Sequence, residues 1–248
     1  MNFLIEVGVS LMIVASVLYL SYVVIPRSEV VKQFFLKNQN WLSPNHISSW
    51  RMWGGTPTIL VFLYGVYIGS DLIVYLSIWV YVFLAITDVL DGVVARAYGL
   101  SSPQGARLDA GADKWFDLPT LFFLSAIPTP EPIYLIIAIG IAVPDIIGQS
   151  IRGRSSPPEA GIVGKTKTTV KFIVIYLMSL THRYPEIYEI LKLEIVIVAL
   201  LLSALILAWM SMGMKTKWYN EYARKYIKEY LIGEADPQGS VFIFTSKI

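Results

Sequence analysis

Long apolar runs dominate the chain and can be read one at a time. Residues 3–25 are almost unbroken in apolar character and stop at Pro26. Further runs occupy about 50–69, 72–95, 108–127, 132–151, 166–181 and 190–213, the run at 108–127 being polar at its start. A helix that crosses the hydrocarbon of a bilayer needs about 20 mostly apolar residues, so seven membrane helices are predicted. Two segments mix the two classes instead. Residues 27–41 set Val30, Val31, Phe34, Phe35 and Leu36 among Lys32 and Lys37, the pattern of a helix lying in the membrane interface. Residues 214–232 place Trp218, Tyr219, Tyr222, Tyr226 and Tyr230 among Lys and Arg, which predicts a second surface helix or an extension of the last span. The end, Gly233 to Ile248, reads as a short strand or a loose tail. The expected fold is all-α, a polytopic membrane bundle. It divides into an N-terminal helix (1–26), an interfacial segment (27–48), a six-helix core (49–213) and an amphipathic tail (214–248).

Composition supports the pattern. Of 248 residues 55% are hydrophobic and 15% charged, with a mean hydropathy of +0.59; a soluble domain of this length could not cover so much apolar surface. The first run lacks a basic segment before it and is longer than the apolar part of a signal peptide, so a retained helix is expected. Cysteine is absent, which excludes disulfides and thiolate metal sites. A net charge of +2 points to no charged macromolecular partner and no nucleic acid. Placement of the charges says more than their sum. Arg27, Lys32 and Lys37, then Arg96 and Arg107, then Arg152, Arg154, Lys165 and Lys167, and finally the basic tail fall on alternate connections, while the opposite ones hold little beyond Arg183. The positive-inside rule then puts the N-terminus outside and the C-terminus in the cytoplasm. His46 and His182 fall on opposite sides, and neither is assigned a catalytic role.

One segment departs from the apolar pattern. Between Asp88 and Asp117 the sequence DVLDGVVARAYGLSSPQGARLDAGADKWFD carries five aspartates. Carboxylates at a membrane helix are costly and need compensation. Asp88 and Asp91 are three apart and share one helix face; Asp109, Asp113 and Asp117 repeat at four and share another. The connection between them is short and rich in Gly, Ser and Pro, so antiparallel neighbouring helices with meeting acidic faces are expected. Repulsion among such carboxylates calls for a cation, and an all-oxygen donor set selects a hard one, Mg²⁺ or Mn²⁺. Gly92 and Ala95 remove bulk beside Asp91, Arg96 adds a cation at the same end, and Gly105 is expected to permit an unusual backbone conformation.

These residues resemble the signature of the CDP-alcohol phosphotransferase family, D-x-x-D-G-x-x-A-R followed by G-x-x-x-D-x-x-x-D. The matching positions are Asp88, Asp91, Gly92, Ala95, Arg96, Gly105, Asp109 and Asp113. Eight fixed residues coincide by chance on the order of 10⁻¹⁰ per starting position. The run Ser43 to Arg51 resembles the family's P-N-x-x-T-x-x-R segment, with Ser48 in place of Thr, and Gly164 to Thr169 resembles the G-K-x-K-T-T run of phosphatidylglycerophosphate synthases. Lys171 stands where a Gln often follows that run, and Pro144-Asp145 replaces an Arg-Glu pair.

The resemblance implies transfer of a phosphatidyl-type group from a CDP-lipid to a small alcohol, with release of CMP. It implies that Asp88, Asp91, Asp109 and Asp113 bind two divalent ions, and that Asp113 also acts as the general base. Gly92, Ala95, Arg96, Gly105, Asn45 and Ser48 would contact the CDP moiety, Asp117 would support the site, and a homodimer is expected. Arg107, Arg152, Lys165 and Lys167 lie on the expected cytoplasmic side and suit a phosphorylated acceptor, with sn-glycerol 3-phosphate first and inositol phosphate, serine or another alcohol as alternatives. The CDP-lipid could be built on diacylglycerol or archaeol. From other classes, a cation transporter would place ionisable groups near the midplane on several helices, whereas these cluster at one face; a scaffold without activity would not need the complete motif.

Overall fold

The computed structural model describes residues 3–39, 42–127, 132–154 and 162–226, and every regular element among them is helical. Helix α1 (Phe3–Tyr19) runs on through a π-helical turn, Leu20–Val24, and a 3₁₀ turn, Ile25–Arg27. Then follow α2 (Glu29–Lys37), α3 (Pro44–Tyr67), α4 (Asp71–Ala97), α5 (Pro103–Ala126), α6 (Pro132–Arg154), α7 (Ile162–Arg183), α8 (Pro185–Ile190) and α9 (Leu193–Tyr226). Among the described residues, four stretches are long and apolar enough to cross a membrane: Phe3–Arg27, Asp71–Ala97, Pro132–Ile151 and Leu193–Glu221. Helices α3, α5 and α7 match them in length but carry the charged side chains described below. The amphipathic 214–226 segment is an extension of the last long helix. Residues 227–248, with the expected strand or tail, lie outside the described residues, as do Trp41 and the side chains of Arg152, Arg154, Trp218, Tyr222 and Tyr226.

The two helices that open on the site begin alike. Ser43 caps α3 by accepting from the His46 N–H at 3.3 Å, and Ser102 caps α5 by accepting from the Gly105 N–H at 3.0 Å. Each is followed by proline at the first helical position, where a missing N–H costs nothing. Helix α4 ends at Gly99, whose φ of +68° and the Leu100 N–H donating to Ala95 O at 2.9 Å close the last turn in a left-handed cap.

Helix α3 packs against both α4 and α5 and lies between them. The two acidic faces meet as expected, but α3 is wedged between much of α4 and α5, which touch through side chains. Glycine makes the wedge close. A Cβ on Gly55 would stand 2.4 Å from the Phe116 ring of α5, and one on Gly65 2.8 Å from Ile73 of α4. Behind the wedge, Phe116 stacks on Tyr81 at 4.6 Å and meets Phe172 edge-on at 5.9 Å. Helices α6, α7 and α9 complete the core around Ile141, Ile175, Leu201 and Ala204.

Helix α1 presents Leu4, Leu11 and Met12 outward, and the π-helical turn presents Tyr22. Phe3 packs edge-on against Tyr184, and polar contacts add to the helix's hold. Glu6, 1% exposed, accepts from Arg183 Nε at 3.1 Å and from the Tyr184 hydroxyl at 2.5 Å, and Tyr176 donates to Ser10 at 2.7 Å. A buried carboxylate paired in this way ties the extra helix to the far end of α7, where the sequence showed only Arg183.

Candidate active site

The carboxylates of α4 and α5 meet around one side chain of α3. Arg51 is completely buried. Its Nη1 lies 2.7 Å from Asp88 Oδ1 and 3.5 Å from Asp91 Oδ2; its Nη2 lies 2.6 Å from Asp109 Oδ1 and 2.9 Å from Asp113 Oδ1. Ser48, one turn before Arg51, donates to Asp91 Oδ2 at 2.7 Å. Four carboxylates thus face one guanidinium, which leaves three of them without a compensating charge.

These residues fit a hard divalent cation. Oxygen atoms of Asp88, Asp91 and Asp109 come within 4.8 Å of one another, close enough to share an ion. Asp113 Oδ1 is buried without a hydrogen bond, an oxygen with coordination to spare. No nitrogen or sulfur ligand stands among the four, which suits Mg²⁺ or Mn²⁺.

Around this cluster the other expected residues are spread unevenly. Gly105 does not adopt an unusual backbone conformation; it is an ordinary helical residue, and a Cβ there would stand 2.6 Å from Asn45 Oδ1. Its smallness brings α3 and α5 together, so that exposed Asn45 sits at the mouth. A Cβ on Gly92 would meet the Arg96 guanidinium at 3.3 Å. Ala95 is half-buried and Arg96 exposed, while Ser48 is committed to Asp91. Of the basic residues, Arg107 and Lys165 are exposed.

Lys167 is different: it is buried and belongs to a second charged cluster. It donates to Asp145 Oδ1. Lys171 donates to Asp117 Oδ2, and at 2.8 Å to Asp145 Oδ2. Lys114 approaches Asp145 Oδ2 at 3.4 Å and Asp117 Oδ2 at 3.6 Å. Three ammonium groups from α5 and α7 therefore enclose two carboxylates from α5 and α6. Asp117 is a member of this cluster and not a fifth member of the acidic one. Because Asp113 and Lys114 are consecutive, α5 carries both clusters.

Arg51 is what sequence reading missed. It was visible as the last residue of the Ser43–Arg51 segment, and a lone arginine entering an apolar run requires a buried anion. Asp145 and Lys171 carried the same signal in their own runs.

The sequence profile of the CDP-alcohol phosphatidyltransferase family matches residues 41–215, well over half of the chain and from α3 through most of α9. No curated protein and no solved structure matches it. The matched span contains both charged clusters and three of the four membrane-crossing stretches in full or nearly so. The chain is a multi-pass membrane protein of the CDP-alcohol phosphatidyltransferase family.

Proposed function

We propose that the protein transfers a phosphatidyl-type group from a CDP-lipid to sn-glycerol 3-phosphate, releasing CMP, at the mouth formed by α3, α4 and α5. The observation that carries this reading is the convergence of Asp88, Asp91, Asp109 and Asp113 on one point. Asp88, Asp91, Asp109 and Asp113 would hold the metal, as a pair of ions. Divalent cations bound there neutralise bridging phosphates and the charge that develops during transfer.

The chain's own residues supply the rest. Asn45, Gly92, Ala95, Arg96 and Gly105 would contact the CDP moiety beside the acidic cluster. The acceptor oxygen bonds to the lipid-bearing phosphorus, the bond from that phosphorus to the CMP oxygen breaks, and Asp113 takes the hydroxyl proton. Asp113 suits this role because one of its oxygens is buried and without a hydrogen bond; a base must lie within reach of the proton it removes.

A phosphorylated acceptor is supported by the second cluster, in which three lysines face two carboxylates. Lys114 is its partly exposed member. Exposed Lys165 and Arg107, together with Arg152, would complete an anion-attracting rim. The orientation follows the positive-inside distribution, with the site in the cytoplasm and the N-terminus outside. The division into 1–26, 27–48, 49–213 and 214–248 is part of the same proposal.

The test is direct. Purified protein is incubated with a CDP-diacylglycerol or CDP-archaeol lipid, Mg²⁺ or Mn²⁺ and a panel of acceptors, and CMP is followed. CMP release that depends on sn-glycerol 3-phosphate is expected. Equal release with glycerol removes the phosphorylated acceptor, and no release with any acceptor removes the reaction.

A further inference from the structure

We infer that Arg51 is a built-in substitute cation: it fills the acidic cluster when metal is absent and competes with divalent ions for the same carboxylates. Arg51 belongs to the site proposed above, so its role rests on the metal-dependent reading of that site.

Charge is the first ground. Oxygens of Asp88, Asp91 and Asp109 lie within 4.8 Å of one another and Asp113 meets the same guanidinium, and repulsion at such separations is worth kilocalories even in a polarisable interior. Arg51 relieves part of it by placing one arm between Asp88 and Asp91 of α4 and the other between Asp109 and Asp113 of α5. In this way α3 clasps the acidic ends of two helices between which it is wedged.

Poor fit is the second ground. A guanidinium offers planar, directed donors, and a well-matched arginine site satisfies them in pairs. Here Nη2 donates to Asp109 at 2.6 Å, but Nη1 and Nε are buried without a hydrogen-bond partner, and so is Asp113 Oδ1. The nitrogens are near the oxygens and wrongly aimed. Leaving buried donors unmade is costly. A spherical ion has no such directional demand, so the same oxygens suit a divalent cation better than they suit Arg51.

Exclusion is the third. The oxygens that Arg51 contacts at 2.6–2.9 Å are the ones a metal would need, so loading weakens those contacts. Arg51 therefore lowers the affinity for metal while protecting the metal-free protein from its own repulsion.

Mn²⁺ binding decides between this and a merely supporting role. Wild type, Arg51→Gln and Arg51→Lys are purified in detergent micelles, bound Mn²⁺ is counted by electron paramagnetic resonance, and thermal unfolding is followed in EDTA and in Mn²⁺. Arg51→Gln should bind Mn²⁺ at least about tenfold more tightly than wild type. It should also unfold several degrees lower in EDTA and gain more from Mn²⁺, since a ligand of the folded state stabilises in proportion to its affinity. Arg51→Lys, which keeps the charge but cannot place two arms, should fall between. An Arg51→Gln protein that survives only with Mn²⁺ present is the extreme form of the same result. If that variant cannot be recovered at all, Arg51→Lys decides alone: tighter binding than wild type supports the role, and equal or weaker binding overturns it. Wild type that binds Mn²⁺, with variants that bind no more tightly, overturns the role of Arg51 alone. Wild type that binds no Mn²⁺ overturns the metal reading as well.

Discussion

Two charged clusters lie next to each other along α5, and they are built on opposite terms. Around Arg51, four carboxylates share one cation, three of the group's members are partly exposed, and buried polar atoms go unpartnered. Around Asp145, three lysines pair with two aspartates, Asp117 Oδ1 is left without a hydrogen bond, and all but Lys114 are at most 3% exposed. The first cluster is incomplete without something from solution. The second is close to complete within the chain. Metal dependence should therefore belong to the first, and dependence of the fold on the cluster's own side chains to the second.

The largest expected effect breaks the first cluster without breaking the fold. Asp113→Asn should lower CMP release by at least about a thousandfold, the scale of losing a proton acceptor and a metal contact together. In EDTA its stability should stay within about 1 kcal/mol of wild type or rise above it, because one repulsive charge is gone. Near wild-type turnover would remove Asp113 from the reaction, and unfolding would erase the contrast with the second cluster.

The second cluster should behave in the reverse manner. Lys171→Met removes the ammonium that donates to both carboxylates and leaves buried Asp117 with only Lys114, at 3.6 Å. Removing one partner of a buried ion pair costs about 3–5 kcal/mol, measured by denaturation in micelles with and without EDTA. The loss should be the same in both, since no metal is involved. Adding Asp117→Asn to Lys171→Met should recover part of it. A loss under about 1 kcal/mol would mean that the lysines are replaceable and that this cluster also waits for a ligand.

Sequence reading reached the first cluster more easily than the second for a physical reason. The carboxylates of the acidic cluster are local: two lie three apart, two lie four apart, and a short turn joins their helices, so spacing alone brings them together. The lysine–aspartate cluster joins residues from three helices, with Lys171 and Asp117 separated by more than fifty positions, and no local period announces it. Lys167 illustrates the limit. In sequence it sits beside Lys165 and looks like half of an anion pocket; in space it is consumed by Asp145. The long helices were legible for the same reason the acidic motif was, because apolar run length is a local property. The wedge of α3 was not, since it depends on Gly55 and Gly65 meeting Phe116 and Ile73 across helices.

That wedge gives a smaller test that joins the two clusters. Gly55→Ala puts a methyl group 2.4 Å from the Phe116 ring, and overpacking of this kind costs about 1–3 kcal/mol. Pushing α3 away from α5 should loosen the arm of Arg51 on Asp109 and Asp113. Turnover should then fall along with stability, and Mn²⁺ affinity should move. A stability loss with unchanged Mn²⁺ affinity would show that the acidic cluster tolerates a shift of its clasp.

The smallest effect separates lysines that build the second cluster from those that remain free to meet a ligand. Lys165 and Lys167 are two apart on α7 and so point to different faces. One is exposed, whereas the other is 3% exposed and paired with Asp145. Lys165→Ala removes a solvated charge, and its stability should stay within about 0.5 kcal/mol of wild type. If the rim attracts a phosphorylated acceptor, the KM for sn-glycerol 3-phosphate should rise by about threefold to tenfold, with kcat nearly unchanged and the effect fading in salt. Lys167→Met should instead lower stability by leaving buried Asp145 Oδ1 without its donor, and should show no such salt dependence. A KM that ignores Lys165 would confine acceptor recognition to Lys114, the one partly exposed member of the buried cluster and the residue next to Asp113.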